Sequence, residues 1–341
     1  MMLCKHAEGV SVTVTIRDVA REANVSISTV SRAFTTPDLV KPQTRNRVLA
    51  VAGELGYEPN TAPPPPVATH RTGHIGIVVP DLSNPFYTGI LNGVQARARQ
   101  SEISVVFANS DEDPVTEESL VREMATQVDG VVVCSSGMAD EQLRQLAEQT
   151  ELVLVNREFP GVPSVVMDSA GGMRQAVAHL AALGHRRCAF LAGPLASWST
   201  GQRRRGLAQA GELGLEVVEF GPFPPRFEGG LQGADLALGA EVTAIIAYND
   251  MVAFGALTRL AARGARVPDD ISLIGFDDLI FASISAPPLT TVAMPTEAAG
   301  RAAVNLLLAR LRDDGRQHEV ARALDTYLIV RATTAPPPKT R

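Results

Sequence analysis

Short apolar segments that alternate with helical patterns constrain the fold of this chain more than any other feature of its sequence. Seven of them, each four or five residues long, follow residue 74, at 75–79, 104–108, 130–134, 152–155, 188–192, 244–247 and 272–275. Strands that alternate with helices in this way pair into parallel sheets, so the pattern predicts an α/β fold. A further helix over 296–312 and a strand over 323–330 lead the chain back, which fits two doubly wound lobes.

Length and composition are those of a globular protein with more than one domain. The chain has 341 residues, more than one ordinary domain contains, and 45% of them are hydrophobic. Its apolar segments fall short of the roughly 18 residues that a membrane-spanning helix needs, and residues 1–12 contain no hydrophobic core of a signal peptide. We therefore expect no membrane partner and a cytoplasmic location.

The cysteines and histidines give no sign of a metal site. Cys4, Cys134 and Cys188 are far apart and odd in number, and the last two lie in apolar segments that favour burial. His179 and His185 lie on a predicted helix and in its C-terminal turn, where structural roles are expected. Neither a disulfide nor a metal nor any cofactor is predicted.

The N-terminal part of the sequence predicts three short helices. Thr15 and Asp18 have the spacing of a capping box at the start of the first helix, which Asn24 is expected to end in a left-handed conformation. Ser26 is expected to cap the second helix, and the third helix is predicted over 42–55. Together they form a small three-helix core.

The second of these helices has the features of a recognition helix. Val30, Ala33 and Phe34 are predicted to face inward. The side chains predicted to face outward are those of Ile27, Ser28, Ser31 and Arg32. Such a helix suits a DNA major groove about 12 Å wide, but small helical pairs also occur in proteins that do not bind DNA. The formal net charge of −6 does not favour a polyanion either, so periodicity alone leaves the function open.

Three segments of this region resemble the lactose-repressor (LacI/GalR) family of transcriptional regulators. They are VTIRDVAREANVSISTVSRAF at 14–34, VKPQTRNRV at 40–48 and LGYEPN at 55–60. The resemblance implies that Ile27 and Ser28 read base edges and that Arg32 reaches further into the groove. It also implies that Ser26, Ser31 and Thr44 bind phosphates, and Asn60 is a further expected DNA-binding residue.

The resemblance extends through almost the whole chain and implies its domain organisation. The domains are an N-terminal tail (1–12), a helix-turn-helix DNA-binding domain (13–60), a hinge (61–72), an effector-binding domain (73–335) and a C-terminal tail (336–341). The expected fold is an all-α helix-turn-helix domain joined to an α/β sensor, which resembles a periplasmic binding protein with two doubly wound parallel-sheet lobes.

The hinge departs from the pattern of the family. Where the family has a short helix of the type Ala-Arg-Ser-Leu, with a leucine that enters the minor groove, this chain has prolines at 63–66. Proline lacks a backbone N–H and favours an extended polyproline helix, so a hinge helix is not expected here. We interpret the segment as a semi-rigid spacer, with the alternative that Pro66 itself acts as the minor-groove wedge.

The residues that follow the predicted strands are polar or aromatic. Open parallel sheets bind ligands at the carboxyl ends of their strands. An aromatic plane together with carboxylate, amide and guanidinium groups is the chemistry that recognises a carbohydrate. The candidate effector-binding residues are Asn84, Phe86, Tyr87, Asn156, Arg157, Trp198, Arg203, Asn249 and Asp277, and the resemblance implies all of them except Asn84 and Trp198.

Several positions in these loops have a structural alternative. Phe86 and Tyr87 are candidates for a core that closes the lobe interface, and Asp168 and Asp250 are interpreted as helix N-caps rather than ligand groups. Trp198, the only tryptophan, lies in a loop rich in glycine, proline and serine, which favours the effector pocket over the core.

The sequence thus predicts a transcriptional regulator, a repressor by the commoner behaviour of the family. It is expected to bind a pseudo-palindromic operator as a homodimer and to respond to a sugar. A purine-like corepressor is the alternative effector, because an aromatic ring, an arginine and an aspartate also hold a flat base. An enzyme is disfavoured because no predicted strand precedes a glycine-rich nucleotide-binding motif. The N-terminal module argues against a transport binding protein.

Overall fold

The computed structural model describes residues 15–35, 40–55, 57, 71–312 and 321–339. The chain divides into two compact units, Met1–His70 and Arg71–Arg341. Asn60 and the prolines at 63–66 lie outside the described residues. The expectations for the hinge and for Asn60 therefore stay predictions.

The first unit contains the three predicted helices. They are α1 (Ile16–Glu22), α2 (Ile27–Thr35) and α3 (Pro42–Leu55). The Asp18 carboxylate accepts hydrogen bonds from the backbone N–H of Thr15 at 3.0 Å and from its hydroxyl at 2.7 Å. The Ser26 hydroxyl accepts the backbone N–H of Thr29 at 3.2 Å, and Asn24 is left-handed with φ = 51°. The predicted caps and turn are confirmed.

Small aliphatic side chains form the core of this unit. Val19, Val30 and Val48, one from each helix, are fully buried, and alanines pack between them. Phe34 and Tyr57 cover one side with ring centroids 6.1 Å apart. The face of α2 that was predicted to point inward does so.

The second unit is built from two lobes that repeat one arrangement of strands and helices. Up to residue 167 the chain forms β1 (His74–Val79), α4 (Pro85–Arg99), β2 (Ser104–Asn109), α5 (Pro114–Met124), β3 (Val131–Cys134), α6 (Asp140–Ala147), β4 (Leu152–Val155) and β5 (Ser164–Met167). It continues with α7 (Ser169–Leu183), β6 (Arg187–Leu191), α8 (Trp198–Leu207), β7 (Glu216–Phe220), α9 (Phe227–Gly239), β8 (Ala244–Ala247), α10 (Asp250–Ala262), β9 (Ser272–Asp277), α11 (Ile280–Ile284) and β10 (Thr290–Ala293). The last elements are α12 (Thr296–Arg312), β11 (Ala321–Leu324) and β12 (Tyr327–Ile329).

Both sheets have six strands in equivalent orders. The order is β11-β5-β4-β3-β1-β2 in the first lobe and β12-β10-β9-β8-β6-β7 in the second. The described strand pairs are parallel apart from β10 with β12. The order reverses between β1 and β3 and between β6 and β8, and open parallel sheets bind ligands at such switch points. The two doubly wound lobes predicted from the sequence are confirmed.

Helix α12 follows the second lobe in sequence but packs along α4 of the first lobe. Glycines permit this close approach, because a Cβ atom at Gly93 of α4 would clash with the carbonyl group of Glu297. In the same way, a Cβ atom at Gly300 of α12 would clash with the carbonyl group of Ile90. The predicted return of the chain through this helix is confirmed.

The single strand predicted over 323–330 is wrong. Two strands occupy this region: β11 is parallel to β5 at the edge of the first sheet, and β12 is antiparallel to β10 at the edge of the second. Asp325 and Thr326 cross between the lobes, and the Thr326 hydroxyl donates to the Asp168 carbonyl at 2.9 Å. Both strands are edge strands with the same mixed apolar pattern, so the sequence did not reveal the break between them.

Strands β5, β7 and β10 were not among the seven predicted strands. β7 carries Glu216 and Glu219 at the edge of its sheet, which masks its apolar pattern. β5 and β10 have only four residues each and follow closely on Pro163 and Pro288. Short apolar segments beside prolines are typical of loops as well as of strands.

Candidate functional site

A cavity of about 120 Å³ lies between the two lobes, at the carboxyl ends of the strands in both sheets. Seven of the nine predicted effector-binding residues line it: Asn84, Phe86, Tyr87 and Asn156 from the first lobe, and Arg203, Asn249 and Asp277 from the second. Arg157 and Trp198 are not part of its lining. Ligands bind at the carboxyl ends of strands in open parallel sheets, which we call the strand-end rule. This rule therefore predicted residues most of which lie together in one cavity wall.

Arg203 and Asp277 face each other in the second-lobe wall. Nη2 of Arg203 lies 3.9 Å from Oδ1 of Asp277, and the side chains are only 3% and 6% exposed. The guanidinium group also lies between two rings, with its Cζ atom 4.3 Å from the centroid of Tyr248 and 4.5 Å from that of Phe276. These cation–π contacts fix the guanidinium group. Its Nε and Nη1 atoms are buried and have no hydrogen-bond partner among the described residues.

The carboxyl group of Asp277 is easily protonated in this wall. Burial raises its pKa to about 7, and the charge of Arg203 opposes this rise. Burial and the charge of Asp277 together raise the pKa of the neighbouring Asp250 well above its usual value. The two carboxyl groups therefore resist being ionised at the same time near neutral pH.

Asn249, and not Asp250, caps helix α10. Oδ1 of Asn249 accepts a backbone N–H of the first turn at 2.9 Å, and its Nδ2 donates to the Pro225 carbonyl at 2.9 Å. Asp250 is the first helical residue, and its carboxylate accepts the Thr291 hydroxyl at 2.6 Å and the Leu279 backbone N–H at 2.8 Å. The interpretation of Asp250 as the cap is wrong because the residue before it has the extended backbone of an N-cap, with φ = −147° and ψ = 178°.

Two other residues of the strand ends are helix caps. Oδ1 of Asn84 accepts the backbone N–H of Phe86 at 3.0 Å, which fixes Asn84 at the start of α4 and in the cavity wall. Oδ1 of Asp168 accepts the backbone N–H of Gly171 at 2.7 Å at the start of α7. The interpretation of Asp168 as a cap is confirmed.

Two polar contacts join the lobes. Nδ2 of Asn156 in the first lobe donates to the Ser199 hydroxyl of the second at 2.8 Å. Nε of Arg226 in the second lobe donates to the Asp81 carboxylate of the first at 2.9 Å. Asn156 is left-handed with φ = 60°, and its Oδ1 is buried without a hydrogen-bond partner within the described ranges. Opening of the lobes would break both contacts.

Phe86 and Tyr87 belong both to the core and to the cavity wall. Both side chains are buried, and their rings meet edge to face with centroids 5.1 Å apart. Both also line the cavity. Burial raises the pKa of the Tyr87 hydroxyl well above its usual range. The two alternatives that the sequence left open at these positions are therefore compatible.

The guanidinium group of Arg157 has protein partners outside the cavity wall. It donates to the carbonyl groups of Ser136 at 2.8 Å and Met138 at 2.6 Å, and it pairs with Asp140 at 2.8 Å. Because loop carbonyls already satisfy it, Arg157 positions the segment that follows β3.

Trp198 is the half-buried first residue of α8 and lies outside the cavity lining. Its neighbours Ser197 and Ser199 line the cavity instead. The loop was therefore located correctly, but its aromatic ring is not the part that forms the wall.

Three titratable residues of the cavity lining were not predicted: Glu112, Glu117 and Tyr248. Tyr248 directly follows β8, and Glu112 lies three residues after β2, so the strand-end rule could have found both. Glu117 lies in the first turn of α5, which that rule does not cover. Its Oε2 accepts the Gly137 backbone N–H at 3.0 Å, whereas its Oε1 is buried with no partner in the described part of the chain. Burial raises the pKa of both glutamates.

In the first unit, α2 exposes side chains to which the sequence assigned base contacts. Ile27 is 47% exposed, which is unusual for an isoleucine, and Arg32 is exposed as well. Ser26 is exposed at the start of α2, and Thr44 is half-buried in the first turn of α3. Outside the described residues lie Asn60 and the side chains of Ser28 and Ser31.

The two histidines of the second lobe have structural partners. Nε2 of His179 lies 3.0 Å from the Thr334 hydroxyl. The ring of His185 lies between the Thr243 hydroxyl at 2.8 Å and the Ala335 carbonyl at 2.9 Å. They tie α7 and the turn after it to the C-terminal segment.

Cys134 and Cys188 are free and buried, and burial raises the pKa of Cys188 to about 12. Within the ranges that the structure describes, no cluster of His, Cys, Asp and Glu could hold a metal ion. Among the helices of those ranges, none is long and apolar enough to cross a membrane.

Comparisons with known proteins find one family match within each of the two units. Residues 15–60 match the family of bacterial regulatory proteins named for lacI, and residues 177–334 match the periplasmic binding protein-like domain. The transcriptional regulator DegA of Bacillus subtilis is 33% identical over 339 residues, which cover 94% of this chain and 98% of DegA. The transcriptional repressor CytR of Escherichia coli is 32% identical over 333 residues, which cover 94% and 96%.

Solved structures of similar proteins include complexes with a sugar and with DNA. The complex of the regulator CelR with cellobiose is 32% identical, with a TM-score of 0.69, and the match covers 94% of this chain and 100% of CelR. The lac repressor dimer bound to operator and the anti-inducer ONPF is 28% identical, with a TM-score of 0.70, and the match covers 94% and 99%.

A helix-turn-helix module joined to a two-lobed α/β unit with a cavity between its lobes defines a DNA-binding transcriptional regulator with a ligand-binding sensor domain. The chain belongs to the LacI family of bacterial regulatory proteins. The family indicated by the segments at 14–34, 40–48 and 55–60 is thereby confirmed.

Proposed function

We propose that the protein is a repressor that binds a pseudo-palindromic operator as a homodimer and is released or modulated by a neutral sugar bound between its lobes. The observation that carries the proposal is the buried pair of Arg203 and Asp277, 3.9 Å apart in the wall of the cavity. The guanidinium group of Arg203 donates hydrogen bonds to a ligand, and the carboxyl group of Asp277 accepts them from it.

The polar atoms of the cavity wall suit hydroxyl groups. Two buried nitrogen atoms of Arg203, Nε and Nη1, have no partner in the described residues, and their N–H groups require an acceptor. Oδ1 of Asn156 and Oε1 of Glu117 likewise have no partner there, and both require a donor. A hydroxyl group both donates and accepts, so a polyol satisfies both kinds of atom at once.

The charges of the wall favour a neutral effector. Its lining includes the carboxyl groups of Glu112, Glu117 and Asp277 but only one guanidinium group, that of Arg203, among the described residues. A phosphate or carboxylate ligand would meet repulsion from those of these carboxyl groups that are ionised, in a buried place where charges interact strongly. A sugar without a charged substituent avoids this repulsion.

Sugars also occur in the names of similar solved structures. CelR is described as a complex with cellobiose, and a LacI-family regulator of Enterococcus faecalis, 29% identical over 77% of this chain with a TM-score of 0.70, is described with bound ribose. These names support a sugar over a purine.

Effector binding is proposed to favour the closed arrangement of the lobes. A ligand in the cavity contacts Asn84 and Asn156 of one lobe and Arg203 and Asn249 of the other. Because it binds both walls only when they are close, it shifts the equilibrium between open and closed lobes. A coupling of roughly 1 to 3 kcal/mol between effector and operator is enough for regulation.

DNA recognition is assigned to the exposed face of α2. Ile27 is well suited to contact a thymine methyl group, and Arg32 to donate two hydrogen bonds to a guanine. One such helix contacts few base pairs, so two copies on a two-fold axis are needed for specificity. Since operator DNA lies in the bacterial cytoplasm, the regulator is proposed to act there, by reversible binding and without catalysis.

Exposed apolar side chains of the second unit support the homodimer. Phe107 on the edge strand β2 is 57% exposed, and Ile284 on α11 is 71% exposed next to Ile280 and Phe281. Unpaired edges and exposed apolar patches are unfavourable in water and are commonly covered by a partner. Both lobes carry such a patch. We therefore propose that the equivalent patches of a second copy of the chain cover them.

A thermal-unfolding panel tests the effector class. Full-length protein is heated with neutral monosaccharides and disaccharides, with sugar phosphates and with purine bases and nucleosides. A neutral sugar is expected to raise the melting temperature, because a ligand that binds only the folded state stabilises it. A shift with purines alone or with sugar phosphates alone would contradict the neutral sugar, and chemical turnover of the sugar would contradict the regulator without catalysis.

A further inference from the structure

Beside the cavity lies a second, wider depression of about 510 Å³, which we call the outer groove. Asp111 and Glu112 of the first lobe line one side of it, and residues around Leu195 and Phe223 of the second lobe line the other. Four residues line both the cavity and the groove: Glu112, Pro194, Ala196 and Pro225. The two spaces therefore adjoin each other.

The inner cavity has room for one ring. Its volume of about 120 Å³ is close to the roughly 150 Å³ of an engineered protein cavity that binds a single benzene. A space of this size suits one pyranose ring rather than two. A group attached to a ring in the cavity has room in the outer groove, which adjoins the cavity at Glu112, Pro194, Ala196 and Pro225.

The second-lobe wall of the groove is apolar and stiff. Leu195 is 66% exposed at its rim, and the buried side chain of Phe223 also lines it. Prolines restrict the backbone of this wall at Pro194, Pro222, Pro224 and Pro225. An exposed leucine on a stiff segment beside a cleft offers a surface on which the apolar face of a sugar ring packs.

The opposite wall supplies polar groups from a constrained turn. Asp111 and Glu112 are both left-handed, with φ = 54° and φ = 61°, which is uncommon for two consecutive residues that are not glycine. The turn is held by the Glu112 backbone N–H, which donates to the Pro80 carbonyl at 2.9 Å, and by Nδ2 of Asn109, which donates to Asp111 at 3.1 Å. Arg226 adds a guanidinium group to the groove. The hydroxyl groups of a sugar form hydrogen bonds with charged side chains such as those of Asp111, Glu112 and Arg226.

We propose that the outer groove is a second effector subsite and that the effector is a neutral disaccharide. One ring occupies the inner cavity against Arg203 and Asp277, and the second packs on Leu195 with its hydroxyl groups toward Glu112 and Arg226. This inference rests on the proposed sugar effector and specifies it: a monosaccharide fills only the inner part of the site.

Calorimetric titration of the full-length protein tests the subsite. Glucose and galactose are compared with cellobiose, maltose, lactose and melibiose, which contain them. At least one disaccharide is expected to bind more than about tenfold tighter than either of its constituent monosaccharides. Leu195→Ser is expected to weaken that disaccharide roughly fivefold to tenfold and to leave the monosaccharide unchanged, since it removes apolar contact with the second ring alone.

Leu213→Ser is the matched control, because Leu213 is also an exposed leucine of the second lobe but lies outside the groove. It is expected to change neither affinity. If every disaccharide binds no tighter than its monosaccharides, or if Leu195→Ser weakens both sugars equally or neither, the subsite is overturned and the sugar effector stands. If none of these sugars binds, the neutral sugar effector is overturned together with the subsite.

Discussion

Nη2 of Arg203 lies 3.9 Å from Oδ1 of Asp277, with both side chains buried in the wall between the lobes. At this distance the groups attract each other but do not form a direct hydrogen bond, so both keep capacity for a third group. A buried ion pair without such bonds is poorly compensated for the loss of water. A ligand hydroxyl that bonds to both groups supplies the missing compensation, which makes this pair the centre of the proposed effector site.

Removal of the Asp277 charge is expected to weaken effector binding. Asp277→Asn keeps the shape of the side chain but loses hydrogen bonds to a charged acceptor, which are worth about 1.5 to 3 kcal/mol, or roughly 10- to 150-fold in affinity. Titration calorimetry with the sugar that gives the largest thermal shift measures this loss. Operator affinity without sugar should stay within about twofold of the parent protein, since Asp277 and α2 belong to different units of the chain.

Asp269→Asn is the control for this substitution, because Asp269 is an exposed aspartate of the second lobe that does not line the cavity. An unchanged sugar affinity in Asp277→Asn would remove Asp277 from the effector site.

Stability is expected to depend on pH through Asp277. The pKa of this group is about 7 in the folded chain and near 3.8 in the unfolded chain, so between these values the folded chain holds a proton that the unfolded chain has released. The resulting contribution to stability is fully present below pH 3.8 and is lost as the pH rises through about 7. The free energy of unfolding of Asp277→Asn minus that of the parent should therefore increase from about pH 5 to pH 8. Urea unfolding at both pH values measures this difference, and a constant difference would show that Asp277 ionises normally.

Arg32 is expected to determine preference at one base pair of the operator. Arg32→Ala should cost about 1 to 3 kcal/mol of operator affinity and relax selection at that position, because a forked contact to guanine is lost. Selection from a randomised DNA library, followed by sequencing, measures the preference. Arg301→Ala removes an equally charged exposed side chain from the second unit and should leave selection unchanged. Equal discrimination by Arg32→Ala would refute the base contact.

Ile284 is expected to lie in the dimer interface. Ile284→Asp places a charge in the apolar patch of α11 and should weaken self-association by roughly 30-fold or more, the effect of losing an interface anchor. Sedimentation velocity over a concentration series measures the dissociation constant. Leu213→Asp introduces the same charge at another exposed apolar position and should leave it unchanged. A wild-type dissociation constant in Ile284→Asp would exclude α11 from the interface.

The proline-rich hinge is expected to limit operator binding. Replacement of the prolines at 63–66 by Ala-Arg-Ser-Leu (P63A/P64R/P65S/P66L) should tighten binding and increase DNA bending, because a helix and a minor-groove leucine become possible. Gel-shift titration and circular-permutation bending assays measure the two effects. If neither changes, the segment acts as a spacer whose sequence is unimportant.

The clarity of the local pattern decided how well each element could be predicted. The helices over 42–55 and 296–312 have the predicted bounds, because their apolar residues recur at helical spacing and prolines or turns flank them. The apolar pattern over 323–330 is the same for a chain that stays in one sheet and for a chain that crosses to the other sheet. Strand pairing depends on contacts distant in sequence, so the break at Asp325 and Thr326 could not be seen.

For the candidate site, the strand-end rule locates backbone segments but not the direction of side chains. It located Asn249, two residues after β8, and Asp277, the last residue of β9, in the cavity wall. It could not show that Arg157 turns away to bind loop carbonyls, or that the serines beside Trp198 form the wall instead of the ring. Glu117 enters the cavity from a helix, where the sequence carries no strand-end signal.

The affinity of the full-length protein for its operator, with and without a saturating neutral sugar, tests most directly the claim that the cavity between the lobes controls DNA binding. Fluorescence anisotropy with labelled operator DNA, identified by selection, gives both dissociation constants. The proposed coupling predicts that the sugar raises the dissociation constant about 5- to 150-fold in the parent protein, and much less in Asp277→Asn at the same sugar concentration. An operator affinity that a bound sugar leaves unchanged would contradict it.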